Sequence, residues 1–285
     1  YKQTQDMLRS YDRKLDQRLF SDIDLRYVRG FDMFLQKRSC CGNTRKFYFK
    51  ALRAILNRAN AEGVGSVATY PFGRGGFEVS KLEEATAKRY LPAAELSKLK
   101  SATANNPQCE YARKLFLFSY YCYGISFIDM AMLTAAHIKQ MEDGDYIVYK
   151  RQKIKRQKGV KPISIKITPA IRQLIESLQA ASPTVDDFLL PVVTRSGYTG
   201  ERLYMHIRTR YSKYQKYLRL LAEELGIDFH LTSYVSRHTA AMTLQRNHIP
   251  REVISQMLGH ADLETTNVYL DSFDNGVINE AAKVL

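Results

Sequence analysis

The stretch YVSRHTAAMTLQRNHIPREVISQMLGHADLETTNVY, residues 234–269, decides how the rest of the chain is read. It holds an apolar helical run (Ala240, Ala241, Met242, Leu244), a turn at NHIPRE, and a second helix ending in Leu258-Gly259-His260. A last segment closes on Tyr269. Three residues can converge on one phosphate: Arg237 as a permanent planar cation, His260 as a hydrogen-bond donor, and Tyr269 as an oxygen able to attack phosphorus. Each has a plainer reading when taken alone. Arg237 would be a surface ion-pair residue, His260 a helix-end residue beside a C-cap glycine, and Tyr269 one of 19 tyrosines filling core or surface. The combination carries the weight, and it reads as half of a phosphoryl-transfer site.

The charge balance points to the substrate class. The chain has 285 residues, with 43 Lys plus Arg against 29 Asp plus Glu, a net charge of +14. Such an excess favours a polyanionic partner, nucleic acid above all, although a basic ribosome-associated or merely soluble protein has the same balance. Apolar content of 45% argues against disorder. Cys40, Cys41, Cys109 and Cys122 form no C-x-x-C pair, so neither a disulfide framework nor a zinc site is expected, and a reducing cytoplasm is the natural compartment. No apolar run reaches the ~18 residues of a bilayer span, and no signal-peptide pattern opens the chain. Because the chain opens on Tyr1 rather than Met, residues upstream are expected to have been trimmed or left out. Whether they include a further N-terminal module stays open.

Taken in order, residues 1 to about 63 read as helical, with Asp22 and Asp24 at capping positions ahead of Leu25, Val28, Phe31, Phe34 and Leu35. Asn43 or Thr44 is expected to cap the next helix. That helix has Phe47, Phe49, Leu52, Ile55 and Leu56 on its apolar side and Arg45, Lys46, Lys50, Arg53 and Arg58 on the other. A basic helix face is commonly just solvated, but in a chain this cationic it can equally lie against DNA phosphates. Gly63 to Phe77 holds five glycines and Pro71, which is linker chemistry. The expected division is a helical domain over 1–70, a linker over 71–88, and a second domain over 89–285 with a C-terminal tail. Pro92 suits the first turn of a helix opening that second domain. The apolar run LFLFSYYCYGISFIDMAML reads as two buried helices parted by Gly124. Strands are expected at 146–149 and 163–167, joined by the cationic tip KRQKIKRQKGVK, in which Arg151 and Lys155 are further candidates for phosphate contacts. Thr168 and Pro169 then start a helix, and a long helix through Leu203, Ile207, Tyr211 and Leu218 ends at Gly226. The fold class is mainly α with a small antiparallel β-sheet.

The spacing of Arg237-His238-Thr239, Leu258-Gly259-His260 and Thr265-Thr266-x-x-Tyr269 resembles the second signature box of the tyrosine recombinase (phage-type integrase) family. DLRYVRGFDMFL (24–35) and NTRKFYFKALRAILNRANAEG (43–63) resemble the family's helical, SAM-like core-binding domain. The tail YLDSFDNGVINEAAKVL (269–285) looks like that of integrases and DNA invertases of Bacteroides-type bacteria. The resemblance implies a core-binding domain followed by a tyrosine-recombinase catalytic domain. It implies a homotetramer acting on double-stranded DNA with specific recombination sites, through a Holliday junction, with accessory DNA-bending proteins as further partners. It also implies that Tyr269 forms a 3′-phosphotyrosine, that Arg237 and His260 hold the phosphate, and that Lys153 in the hairpin protonates the leaving 5′-oxygen. The phosphoester energy is retained, so neither a metal nor any other cofactor is expected, and the setting is the bacterial nucleoid in the cytoplasm.

Two positions depart from the family's pattern. Tyr234 stands where the family usually has a histidine, and a phenol can donate a hydrogen bond but is no near-neutral acid–base group. Ser126, in YCYGISFIDMAML, stands where the family's first arginine is expected. Some Bacteroides-type relatives also lack that arginine. Arg113, about three turns earlier along a continuous helix, is the nearest candidate substitute, and Asp129 matches the box's acidic position, where it would orient other groups or cap a helix. A type IB topoisomerase-like enzyme and a catalytically weak DNA-binding protein of the same fold are the competing readings. The tail after Tyr269 packs either in cis or on a neighbouring subunit, the latter being the family's habit.

Overall fold

Caps and apolar periodicity set the helices. The computed structural model describes residues 1–84, 89–155, 157, 159–260 and 266, which fall into two compact units divided between Ala87 and Lys88. In the first unit, α1 (Lys2–Tyr11), α2 (Leu25–Lys37) and α3 (Gly42–Ala61) enclose Leu8, Val28, Phe31, Leu35, Phe49 and Leu52. Burying side chains of this size contributes about 1.5–3 kcal/mol each. Asp24 caps α2 as expected, accepting from the Tyr27 N–H at 2.8 Å. Asn43 and Thr44 do not cap α3. The helix starts one residue ahead of them, and Asn43 instead donates to the Glu84 carbonyl at 2.6 Å. The expected linker is largely part of this unit. Phe72, Phe77 and Val79 pack on its core, and the Phe77 ring stands 4.4 Å from that of Phe49. Glycines mark turns in this segment, but its aromatic residues have apolar area to bury, so it folds back.

The second unit is built around α5 (Pro107–Tyr121), preceded by α4 (Ala93–Ser101). Pro92 stands at the N-cap of α4 rather than in its first turn. Asn106 caps α5 and Pro107 opens it, and Leu115, Phe116 and Phe118 are fully enclosed. The short α6 (Phe127–Ala131) follows a turn through Gly124. Next comes a three-stranded antiparallel sheet, β1 (Ile138–Met141), β2 (Gly144–Tyr149) and β3 (Ile163–Lys166), with Ile147 opposite both Ile138 and Ile165. Two strands were expected. The first, IKQM, has exposed residues at three of its four positions and no alternation to reveal it.

Thr168 caps α7 (Pro169–Ala181) as expected. α8 (Gly200–Glu224) and α9 (Ser233–Arg246) pack with α7 around α5, and α10 (Arg251–Leu258) lies against α9 and β3. Among the described residues no helix is long and apolar enough to cross a membrane. Tyr269 and the tail beyond it lie outside the described residues, as do residues 85–88.

Candidate active site

Arg237 sits in the second turn of α9 and is buried, 3% exposed. Its guanidinium gathers three segments. Nη1 donates to the Gly124 carbonyl at 3.0 Å, and Nη2 donates to the Leu258 carbonyl and meets His260 Nε2 at 3.0 Å. The close approach on the Gly124 side needs a glycine. Its φ is +72°, and an added Cβ would fall on the Arg237 backbone and side-chain stem. On the other side α10 ends at Gly259, left-handed at φ +63°, and the His260 N–H returns to the Ser255 carbonyl at 3.0 Å. The C-cap glycine therefore aims His260 at Arg237. His260 Nδ1 lies 2.7 Å from the Thr266 hydroxyl.

Ser126, at the position of the absent arginine, is the N-cap of α6. Its hydroxyl donates to Asp129 Oδ2 at 2.6 Å and accepts from the Asp129 N–H at 3.3 Å. Asp129 is buried, and its Oδ1 accepts from the Gln152 N–H at 2.7 Å. It thus caps nothing itself but ties α6 to the hairpin that follows β2. Gln152 separates Arg151 from Lys153, so this bond fixes the backbone between them. Tyr149, at the end of β2, is buried beneath them, and burial with the nearby Asp129 charge pushes its phenol well up, against the opposing pull of Arg237.

Arg151 reaches back across the site. Its Nη1 donates to the Gly259 carbonyl at 3.2 Å, while its Nε is buried without a hydrogen-bond partner among the described residues. Arg151, Arg208, Tyr234 and Arg237 all line a cavity of about 460 Å³ whose floor includes Ser126 and Tyr211. Three arginines thus line one half-enclosed space, whose positive charge favours an anion. A larger depression of about 730 Å³ on the first unit has only Asp6 and Arg38 as charged lining groups.

The sequence candidates divide accordingly. Arg237, His260, Ser126 and Tyr234 are brought together, with Tyr234 53% exposed at the cavity rim and its ring 5.3 Å from that of His238. Lys153 and Lys155 are exposed in the hairpin. Arg113 is not brought there. It is buried on α5, donating to both Glu110 oxygens at 2.7 Å and to the Leu99 carbonyl at 2.9 Å. The helix on which its candidacy rested also ends at Tyr121, ahead of the left-handed turn through Tyr123 and Gly124. In the first unit Arg45 is held by Asp32 at 2.9 Å and Lys46 by Glu83 at 2.6 Å, whereas Lys50 and Arg53 are exposed. Arg208 was missed. It lies beside Ile207 in a stripe that reads as core, and only its place one residue round the helix marks it as facing the cavity.

This geometry has relatives. Residues 89–275 match the Phage integrase family profile, and residues 1–78 match the Phage integrase SAM-like domain. The chain belongs to the phage integrase family. It is 41% identical over 54 residues, 19% of this chain, to tyrosine recombinase XerD of Halalkalibacterium halodurans, and that match spans 18% of the relative. In fold it is similar to the Tn1549 transposon integrase in complex with transposon right-end DNA, with a TM-score of 0.67 at 13% identity, covering 99% of this chain and 93% of that one. It is also similar to a lambda integrase dimer bound to a core site, with a TM-score of 0.63 at 13% identity and coverage of 96% and 91%. The XerH site-specific recombinase bound to its difH substrate superposes with a TM-score of 0.62 at 18% identity, covering 92% and 71%. These solved structures share the fold of the chain at low sequence identity.

Proposed function

We propose that this protein is a site-specific DNA recombinase that cuts and rejoins strands through a 3′-phosphotyrosine at Tyr269. The observation that carries this reading is the meeting of Arg237 and His260 at 3.0 Å beside a cavity that Arg151 and Arg208 also line. A scissile phosphate in that space receives paired donors from Arg237 and a further donor from His260, which stabilise charge on its non-bridging oxygens. Tyr269 attacks phosphorus, the bond to the 5′-oxygen breaks, and Lys153 supplies the proton that oxygen needs. Arg151 takes the part of the arginine absent at Ser126: its buried Nε is a donor with no partner among the described residues, at the wall of the same cavity. The net charge of +14 supplies the long-range attraction to duplex DNA, to which exposed Lys50, Arg53 and Lys155 contribute. The active assembly is a homotetramer holding two sites, working in the cytoplasm on the nucleoid.

The test begins by selecting binding sites from random-sequence duplexes. A nicked version of the selected site is then incubated with the protein and run on a denaturing gel. Wild type is expected to leave a covalent protein–DNA adduct, and Tyr269→Phe none. Arg151→Ala should lower the cleavage rate by about 10²–10³-fold, the usual cost of one lost oxyanion donor. Absence of an adduct on every selected site would leave a DNA-binding protein only. An adduct without strand exchange between two sites would indicate DNA relaxation instead.

A further inference from the structure

His260 lies between a group that can only donate and a group that can do either. A guanidinium carries no acceptor, so at 3.0 Å from Arg237 Nη2 the His260 Nε2 is the accepting nitrogen. In the neutral ring the proton is then on Nδ1, and Nδ1–H donates to the Thr266 hydroxyl at 2.7 Å. Thr266 is fully buried.

A phosphate reverses what is asked of this ring. Its non-bridging oxygens only accept, so a His260 that holds phosphate must carry a proton on Nε2. The ring reaches that state by gaining a proton, with Nδ1–H still donating to Thr266. It can also move its proton from Nδ1 to Nε2, after which bare Nδ1 needs a donor. A hydroxyl accepts in the first case and, by rotating, donates in the second. A carboxylate would hold the proton on Nδ1, and an apolar residue would take the Thr266 hydrogen bond away from it.

We infer that Thr266 is a positioning residue that lets His260 Nε2 change from acceptor to donor when phosphate displaces Arg237 from it. Thr266 also stands three residues before Tyr269 in the sequence. The inference rests on the proposed phosphate chemistry for its purpose, but not for its resting-state prediction.

Two measurements test it. Protein labelled with ¹⁵N-histidine, without DNA, should show the His260 proton on Nδ1, the signal being assigned by its loss in His260→Gln. Saturating inorganic phosphate should move protonation onto Nε2. Thr266→Val, with Arg237 still donating to Nε2, should keep the resting proton on Nδ1 but weaken the phosphate-driven move to Nε2, and should slow single-turnover cleavage of the nicked duplex severalfold to about tenfold, the cost of one lost side-chain hydrogen bond. Its affinity for the intact duplex should change by less than about threefold, since phosphate and base contacts elsewhere hold the DNA. Thr266→Ser, which keeps the hydroxyl, should restore both readouts. A resting proton on Nε2, wild-type cleavage by Thr266→Val, or a Thr266→Ser variant as slow as Thr266→Val would each overturn the inference. If the valine variant does not fold, the wild-type spectrum and the serine variant still decide. If wild type cleaves no duplex, the recombinase reading fails, while the spectra taken with inorganic phosphate judge the role of Thr266 separately.

Discussion

Replacing Gly124 by alanine puts a methyl group where the active site is most tightly drawn together. Two costs follow from the structure. At φ +72° a side chain enters the left-handed region, which costs about 1–2 kcal/mol. The new Cβ would also lie within 2.5 Å of the Arg237 Cβ and Cγ. The neighbour there is a helix backbone with a buried stem, which cannot rotate out of the way, and such overpacking costs about 1–3 kcal/mol. The sum is about 2–5 kcal/mol. Gly197→Ala provides the control: its φ is +71°, nearly the same, but nothing lies within 4 Å of the added carbon. It should lose only the conformational part, about 1–2 kcal/mol. At about 2–4 °C per kcal/mol for a unit of this size, Gly124→Ala should melt about 4–20 °C below wild type and Gly197→Ala about 2–8 °C below. Urea unfolding at constant slope gives the free energies directly. Cleavage by the folded Gly124→Ala protein should fall further than its stability implies, because the shift is imposed on Arg237 itself. Equal destabilisation by the two alanines, or unimpaired cleavage by Gly124→Ala, would refute the claim that Gly124 sets the approach of Arg237.

Two further outcomes concern α5. Arg113→Ala should destabilise the second unit by roughly 1–3 kcal/mol, since it strips donors from Glu110 and the Leu99 carbonyl. Cleavage by its folded fraction should stay within about twofold of wild type; abolished cleavage in well-folded protein would return Arg113 to the active site. Burial raises the Glu110 carboxyl, but hydrogen bonds from Arg113 and the Ala104 N–H, with the Arg113 and Lys114 charges, outweigh it and hold the group below the ordinary range. A depressed carboxyl adds stability above its unfolded value of about 4.3 and loses that contribution as pH falls through the lower folded value. The difference in urea midpoint between wild type and Glu110→Gln should therefore be present at pH 7 and shrink below about pH 4. A difference that grows in acid would contradict the sign.

How much of this was legible in the sequence depends on how far each residue's partners lie along the chain. Thr168 before Pro169, and Asp24 three residues before Tyr27, act on their own turns, and both caps were readable. The Gly259-His260 pair was readable for the same reason. Arg113 shows the opposite case: its partner, Glu110, stands only three residues away on the same helix, a local pairing that already accounts for its charge. Asp32 and Glu83, which hold Arg45 and Lys46, lie 13 and 37 residues from them, so a face that looks basic in sequence is partly neutralised in the fold. Arg208 was hidden by company, since Ile207 and Tyr211 make that part of α8 read as core. The cavity needs α6, α8, α9 and the hairpin to be placed together, and no local pattern carries that information.

The bond from the Gln152 N–H to Asp129 has a consequence for how such a site fails. On the proposed assignment, one of the groups that neutralise the phosphate, Arg151, and the group that protonates the departing oxygen, Lys153, flank a single anchored residue. They arrive together and leave together. A hairpin lifted from Asp129 would shift both at once, while Arg237 on α9 and His260 beyond α10 keep their own anchors. On that assignment a single local movement withdraws the proton donor together with one of the phosphate's cations, and the remaining pair alone cannot complete the exchange.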